Sequence, residues 1–306
     1  MTTLTAPRVA LSDSLVVPPS DDRPDVTILD DGSVAYDGGC LFGGVPRVVW
    51  LDNLVSRIDR SNRVRMTINC AVARMAGRTY LLDTGIGSLE PYVARETLGH
   101  SRTMLRTRLK TAGLGRLRVD GVILTSLDFA VAGGIAFRSE QGYLKPVFPN
   151  AKIYVQRAAL DYQEALPMPW SDNRLGVKEL AEWIVPLDGE TEVGAGVRVR
   201  PVSGPGVGHQ VVTLSLGALR FMWPGGIIPS VMHLGDAVPA WHHNQHATRL
   251  ERARLLEQAR EGGYEIGFQL GVNGVHRALI KPQPRATPHL RGPGIVLDTD
   301  GRTRAV

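Results

Sequence analysis

Four kinds of side chain in this sequence can move protons or attack a substrate, and they fall in a few short segments. The run Val122-Ile-Leu-Thr-Ser-Leu-Asp-Phe-Ala-Val-Ala-Gly-Gly134 carries a hydroxyl, Ser126, and a carboxylate, Asp128, just past an apolar strand. A second carboxylate, Asp83, closes the run Thr79 to Asp83. Two carboxylates near one pocket can have their pKa values driven apart and divide acid and base roles. Ser126 is a candidate nucleophile, but no Gly-x-Ser-x-Gly elbow surrounds it and no triad order is evident, so it reads as a hydrogen-bonding residue. The imidazoles are His209, His233 and the cluster Trp241-His-His-Asn-Gln-His246. His242 and His246 lie one helical turn apart if that segment is helical, a spacing that suits a metal ion; a polar loop is the plainer reading. Cys40 and Cys70 match no zinc ribbon and are too few for a disulfide framework, so both are expected as small buried apolar residues in a reducing compartment.

These groups must be positioned by an α/β chain. Of 306 residues, 43% are hydrophobic, enough for a substantial core rather than disorder. The net charge of +5 comes from Arg far more than Lys, and the Arg residues are scattered with no DNA-binding motif, so no nucleic-acid partner is expected. Residues 1–24 lack an apolar core and contain Pro18-Pro19 and Asp21-Asp22; they read as an extension ordered against the body or a partner, not as a signal peptide. No window approaches transmembrane length, and a cytoplasmic protein is the expectation.

Val26 to Leu29 and Val34 to Tyr36 predict a hairpin turning at Asp30-Asp31-Gly32-Ser33, followed by a glycine-rich loop at 37–46. Arg65 to Ala73 and Thr79 to Asp83 predict a second hairpin across Ala76-Gly77. Strands are predicted over 151–156, 197–202, 211–216 and 219–223, and helices near 104–112 and 158–165. The clearest helix is 248–261, with Thr248 and Glu251 as a capping box, an apolar stripe of Leu250, Leu255, Leu256 and Ala259, and Gly262-Gly263 as its stop.

In shared order, Asp37–Pro46, Asn69–Arg74, Tyr80-Leu-Leu-Asp-Thr-Gly-Ile-Gly87, Val122–Gly134, Phe148–Ala158 and Ile228–Leu234 resemble the lactonase-like branch of the metallo-β-lactamase superfamily. The resemblance implies an αβ/βα four-layer sandwich as one domain over 25–306, and because lactonase-like relatives are often dimeric it implies a homodimer, across whose interface the 1–24 extension could swap. It also locates the family's metal ligands, and none matches. The first metal loop reads Ser126, Asp128, Ala130 and Val131; the next ligand positions fall on Pro205 and Gly226, and the last near Leu270. Ala, Val, Pro, Gly and Leu carry no side-chain donor, so no family-type metal site and no cofactor are expected. Without the ion, the metal-bound hydroxide that drives hydrolysis in this fold is not available.

The resemblance then distributes roles. Asp128, His233 and Asp83 are the catalytic candidates. Ser126, Phe42, Trp223, Met232, Trp241 and His242 are expected around the substrate. Three readings stay open. One is a metal-independent enzyme working on a small organic molecule, an ester, lactone or specialised-metabolism intermediate. Another is a non-catalytic protein that binds a small ligand or a partner. The third is a relocated metal site built from Asp83, Asp128 and His residues. A cavity filled by Trp223, Met232 and Leu270 would weigh against the enzyme.

Overall fold

The computed structural model describes residues 23–280 apart from 52–53, 55–57, 90–95, 97, 166–174 and 273, together with 295–297 and 303–305. All but the last two residues of the expected 1–24 extension lie outside the described residues.

Alternating apolar residues draw out β1 (Asp25–Asp37), which leads through α1 (Gly38–Phe42) and α2 (Arg47–Leu51) to β2 (Arg63–Met75). The expected hairpin follows: Ala76 and Gly77 take φ of 47° and 76°, the tight-turn geometry that suits strand twist, into β3 (Arg78–Leu82). Next come α3 (Leu105–Thr111), β4 (Gly121–Ile123), α4 (Phe129–Ala132), the small hairpin β5 (Ala136–Arg138) and β6 (Leu144–Pro146), β7 (Lys152–Gln156), α5 (Arg157–Ala165) and β8 (Ile184–Leu187). The second half is an antiparallel meander of β9 (Thr191–Gly194), β10 (Val197–Pro201), β11 (Gln210–Leu216) and β12 (Leu219–Trp223). It is followed by α6 (Gln245–Gly262), β13 (Glu265–Val272) and β14 (Val275–Ile280).

The strand path runs β8-β7-β4-β3-β2-β13-β12-β11-β10-β9. Its halves meet where β2 pairs with β13 over Ile68–Leu270 and Thr67–Gly271, just before β2 takes up β3 at Ala71. At that junction β3 and β13 leave the same edge of β2, and the two halves splay apart. Three apolar clusters report the layers. Ala71, Ala73, Tyr80 and Leu82 of one half pack on Val197, Val212, Phe221 and Trp223 of the other, which is the sheet-to-sheet core. Leu105 and Leu109 of α3 and Ala159 of α5 cover the outer face of the first half, and Leu255 and Ala259 of α6 cover that of the second. This is the expected αβ/βα sandwich.

Three local expectations are corrected. Residues 25–37 form one strand, and Asp30 to Ser33 is a bulge against β2, not a turn. The bulge drives Asp31 inward, where its carboxylate accepts from Ile86 N, Gly87 N, Thr103 Oγ1, Met104 N and Leu105 N. The glycine-rich loop contains α1, capped by Asp37, whose Oδ1 accepts from Cys40 N at 2.9 Å. Helix α6 starts at an Asn244 cap, whose Oδ1 accepts from Ala247 N at 2.9 Å. Thr248 is thus inside the helix, and Glu251 is drawn away from any capping box by Arg200 and Arg254. Of the stripe, Leu255 and Ala259 are buried, whereas Leu250 is exposed. Among the described residues no helix is long and apolar enough to cross a membrane.

Candidate active site

Strand β3 delivers Asp83 to the splay between the two halves. Asp83 takes a left-handed φ of 58°, which Asp tolerates better than most residues, and is buried. Its carboxylate accepts from Thr125 N at 2.8 Å, Thr125 Oγ1 at 3.0 Å, and Trp223 Nε1 and Gln269 Nε2 at 2.6 Å each. Burial raises its pKa and the hydrogen bonds pull it back. Asp83 thus ties β3 to the strand ends at Thr125, Trp223 and Gln269.

Above it lies a cavity of about 330 Å³. Asp83, Ser126, Asp128, Trp241 and His242 line it, so five of the nine expected site residues meet there. Asp128 is exposed; Ser126 Oγ donates to its Oδ2 at 2.9 Å and accepts from its backbone N–H at 3.2 Å. That local loop closes on itself and holds Ser126 without an activating imidazole. Tyr36, from the end of β1, stacks on Trp241 at 5.4 Å between centroids. Burial first, and the Asp128 charge second, push its phenol well above the usual value.

Two imidazoles complete the wall. Nδ1 of His242 lies 3.0 Å from Thr248 Oγ1, which itself donates to Asn244 O, and the buried Nε2 completes a ring held against the Gly226 backbone. Burial lowers the His242 pKa to about 4, which keeps the ring neutral. His209 Nε2 accepts from Gly226 N at 2.9 Å, leaving Nδ1 buried and unpaired, and burial lowers its pKa to about 3. His209 also lines the cavity.

The other four expected residues lie elsewhere. His233 is fully buried: Nε2 donates to Leu41 O at 3.0 Å and Nδ1 accepts from Ser230 Oγ at 2.8 Å. With both nitrogens engaged and its pKa lowered to about 3 by burial, His233 staples α1 to the segment after Ser230 and is not a proton carrier at the cavity. Phe42 stacks on that ring at 5.7 Å and packs tilted against Trp50 at 4.8 Å. Trp223 and Met232 pack into the cores rather than the cavity. His242 and His246 do not pair, since the helix begins after His242 and His246 is exposed. Tyr36 and Gln269 were missed by sequence reasoning; nothing in their local pattern separates them from ordinary strand residues.

A family model described as the metallo-beta-lactamase superfamily matches residues 64–225, more than half the chain. The chain belongs to the metallo-beta-lactamase superfamily. Among similar solved structures is a probable metal-dependent hydrolase from Staphylococcus aureus, at 20% identity and a TM-score of 0.73 over 81% of this chain and 89% of that one. AidC, a dizinc quorum-quenching lactonase in complex with a product, is 18% identical with a TM-score of 0.66 over 86% of this chain and 96% of its own. An N-acyl homoserine lactone hydrolase with N-hexanoyl-L-homoserine bound at its catalytic metal center is 16% identical, TM-score 0.61, over 81% and 93%. At these identities the likeness shows the fold. A search of curated proteins finds no match.

The superfamily implies a metal centre, so the donor set decides whether one fits. Ser126, Asp128, Ala130 and Val131 of the first metal loop all line the cavity, and so do Pro205, Gly226 and Leu270. The aligned positions thus converge in space across the whole chain, but they offer one carboxylate and one hydroxyl. Of the nearby donors, Asp83 already holds three partners, and the imidazoles of His209 and His242 are not joined by a third described His, Cys, Asp or Glu. Among the described residues no three His, Cys, Asp or Glu side chains gather as a metal would need. These residues do not fit the family's metal pair.

Proposed function

We propose that this chain keeps the pocket of a metallo-β-lactamase-fold hydrolase without its metal pair, and acts there on a small organic molecule by acid–base chemistry. The observation that carries the proposal is the convergence of the substituted ligand positions on one open cavity. A volume of about 330 Å³ suits a small ligand, and neither Trp223 nor Met232 fills it. Asp128 is the candidate base, and neutral His242, which lines the same cavity, is its partner. Proton transfer, elimination or cyclisation needs a positioned base and an oriented substrate rather than a metal. Asp83 positions the wall by holding Thr125, Trp223 and Gln269.

A second reading, binding without turnover, is favoured by two observations: Asp83 has its acceptor capacity engaged, and Ser126 lacks an activating base.

Elemental analysis of the purified protein tests the first half of the proposal: about one or more equivalents of zinc, iron or manganese would overturn it. Ala130→Trp, which puts an indole into the cavity, tests the second half. It should abolish binding of small-molecule hits from a ligand-observed NMR screen; hits that survive it bind elsewhere. Once a substrate is found, Asp128→Asn and His242→Gln should each lower kcat, whereas binding with no turnover in the parent chain selects the second reading.

A further inference from the structure

The charge of the cavity is opposite to that of the chain. The sequence carries a net charge of +5, yet the described residues lining the cavity include two carboxylates, Asp83 and Asp128, and no Lys or Arg. Every partner of Asp83 is a neutral donor, so its charge is spread over hydrogen bonds and not cancelled. Arg252 stands close enough to depress His242, but its guanidinium donates to the carbonyls of Ile227, Gly235 and Ala237 and does not line the cavity. His242 is only 6% exposed and lines the wall without a charge of its own. Tyr36 and Trp241 form a stacked aromatic pair beside Asp128, and Trp241 is 44% exposed. An uncancelled carboxylate and aromatic faces together are the chemistry that recognises an organic cation.

We infer that the cavity takes an organic amine in its ammonium form, with the nitrogen held by Asp128 and the carbon body against Tyr36, Trp241 and Leu98. The inference rests on the reading that a small molecule occupies this cavity without a metal, and it names that molecule's class. An ammonium supplies N–H donors to Asp128, whose carboxylate accepts only from Ser126 Oγ among the described residues. It also brings the positive charge that the pocket's own side chains do not supply. An anion would meet two carboxylates and is rejected.

Three probes of matched shape test this on the full chain by NMR titration: 2-phenylethylammonium, 2-phenylethanol and phenylacetate. The ammonium should bind about tenfold or more tightly than the alcohol, the scale of one charge-assisted hydrogen bond, and phenylacetate should not bind. Added salt should weaken the ammonium and leave the alcohol unchanged, a readout on the parent chain that needs no variant. Asp128→Asn, checked for an unchanged thermal midpoint, should bring the ammonium down to the level of the alcohol. Equal or tighter binding of the alcohol or of phenylacetate overturns the inference, as does an ammonium indifferent to salt and to Asp128→Asn, or no binding by any probe. If the alcohol or phenylacetate binds best and Ala130→Trp removes it, the cavity reading stands and only the amine class falls. A stoichiometric metal in the purified protein marks failure of the metal-free reading itself.

Discussion

Trp223 donates its indole N–H to Oδ2 of Asp83 across 2.6 Å, and this bond joins the two halves of the sandwich. Trp223 ends β12 in one half and Asp83 follows β3 in the other. Gln269 and Thr125 converge on the same carboxylate, with Gln269 Nε2 also donating to Thr125 Oγ1 at 2.8 Å. The floor of the cavity is therefore one hydrogen-bonded unit.

Trp223→Phe keeps the aromatic bulk and removes only the donor. A hydrogen bond to a charged group contributes about 1.5–3 kcal/mol, so the urea midpoint should fall by that equivalent with an unchanged slope. Asp83→Ala should be far worse, because it leaves the Trp223, Thr125 and Gln269 donors buried without an acceptor. A Trp223→Phe midpoint equal to that of the parent would show that the bond contributes nothing.

Gly133 makes a steric prediction. A Cβ there would run into the backbone carbonyl of Ile86, and one on Gly134 into that of Thr84, whereas a Cβ on Gly44 meets nothing within 4 Å. Gly133→Ala should cost at least about 1–3 kcal/mol, the range for overpacking, and Gly44→Ala within about 0.5 kcal/mol. Comparing the two by chemical denaturation decides the matter; similar losses would mean the loop after β4 moves aside freely.

Ala132-Gly133-Gly134 was legible because a close backbone approach leaves its mark on the residues themselves. The convergence of Ser126, Pro205, Gly226 and Leu270 was legible too, through the order of motifs along the chain. Asp31 was not. Asp-Asp-Gly-Ser has turn composition, and only donors from 86–87 and 103–105 show that the carboxylate turns inward. His233 misled for the reverse reason: its place near the pocket in the motif order says nothing of Leu41 and Ser230, which occupy both nitrogens. Thr248 and Glu251 fit a capping box locally, but the ion pairs of Glu251 with Arg200 and Arg254 and the cap at Asn244 decide the helix start.

Acid should destabilise this fold in a defined window. Burial lowers His209 and His233 to about 3 and His242 to about 4, from an ordinary value of 6.5. Between those limits the unfolded chain binds protons that the folded chain refuses, so stability falls as pH drops below 6.5. Each such imidazole contributes a slope of about 1.4 kcal/mol per pH unit. Asp83 acts in the opposite sense, since its raised pKa lets the folded state take a proton early. Urea midpoints at about pH 7, 6 and 5 should decline, and more shallowly in His242→Gln. A flat profile, or an unchanged slope in the variant, would mean these rings are not held neutral.

Asp31 gives the sharpest local test. Oδ1 accepts from Thr103 Oγ1, Met104 N and Leu105 N, and Oδ2 from Ile86 N and Gly87 N. Asp31 thereby caps α3 from a different element and fixes the 83–87 turn that presents Asp83. Asp31→Asn has nearly the same shape, but either orientation of its amide points NH₂ at backbone donors. It should cost about 2 kcal/mol or more, since buried donors lose their acceptor. Asp31→Glu should not rescue, because the site is fully buried and has no room for another methylene. Hydrogen exchange locates the damage: the amides of Ile86, Gly87, Met104 and Leu105 should exchange faster than those of β11 in the far half. Uniform acceleration across both halves would instead make Asp31 an ordinary core residue, with no special hold on the turn beneath the cavity.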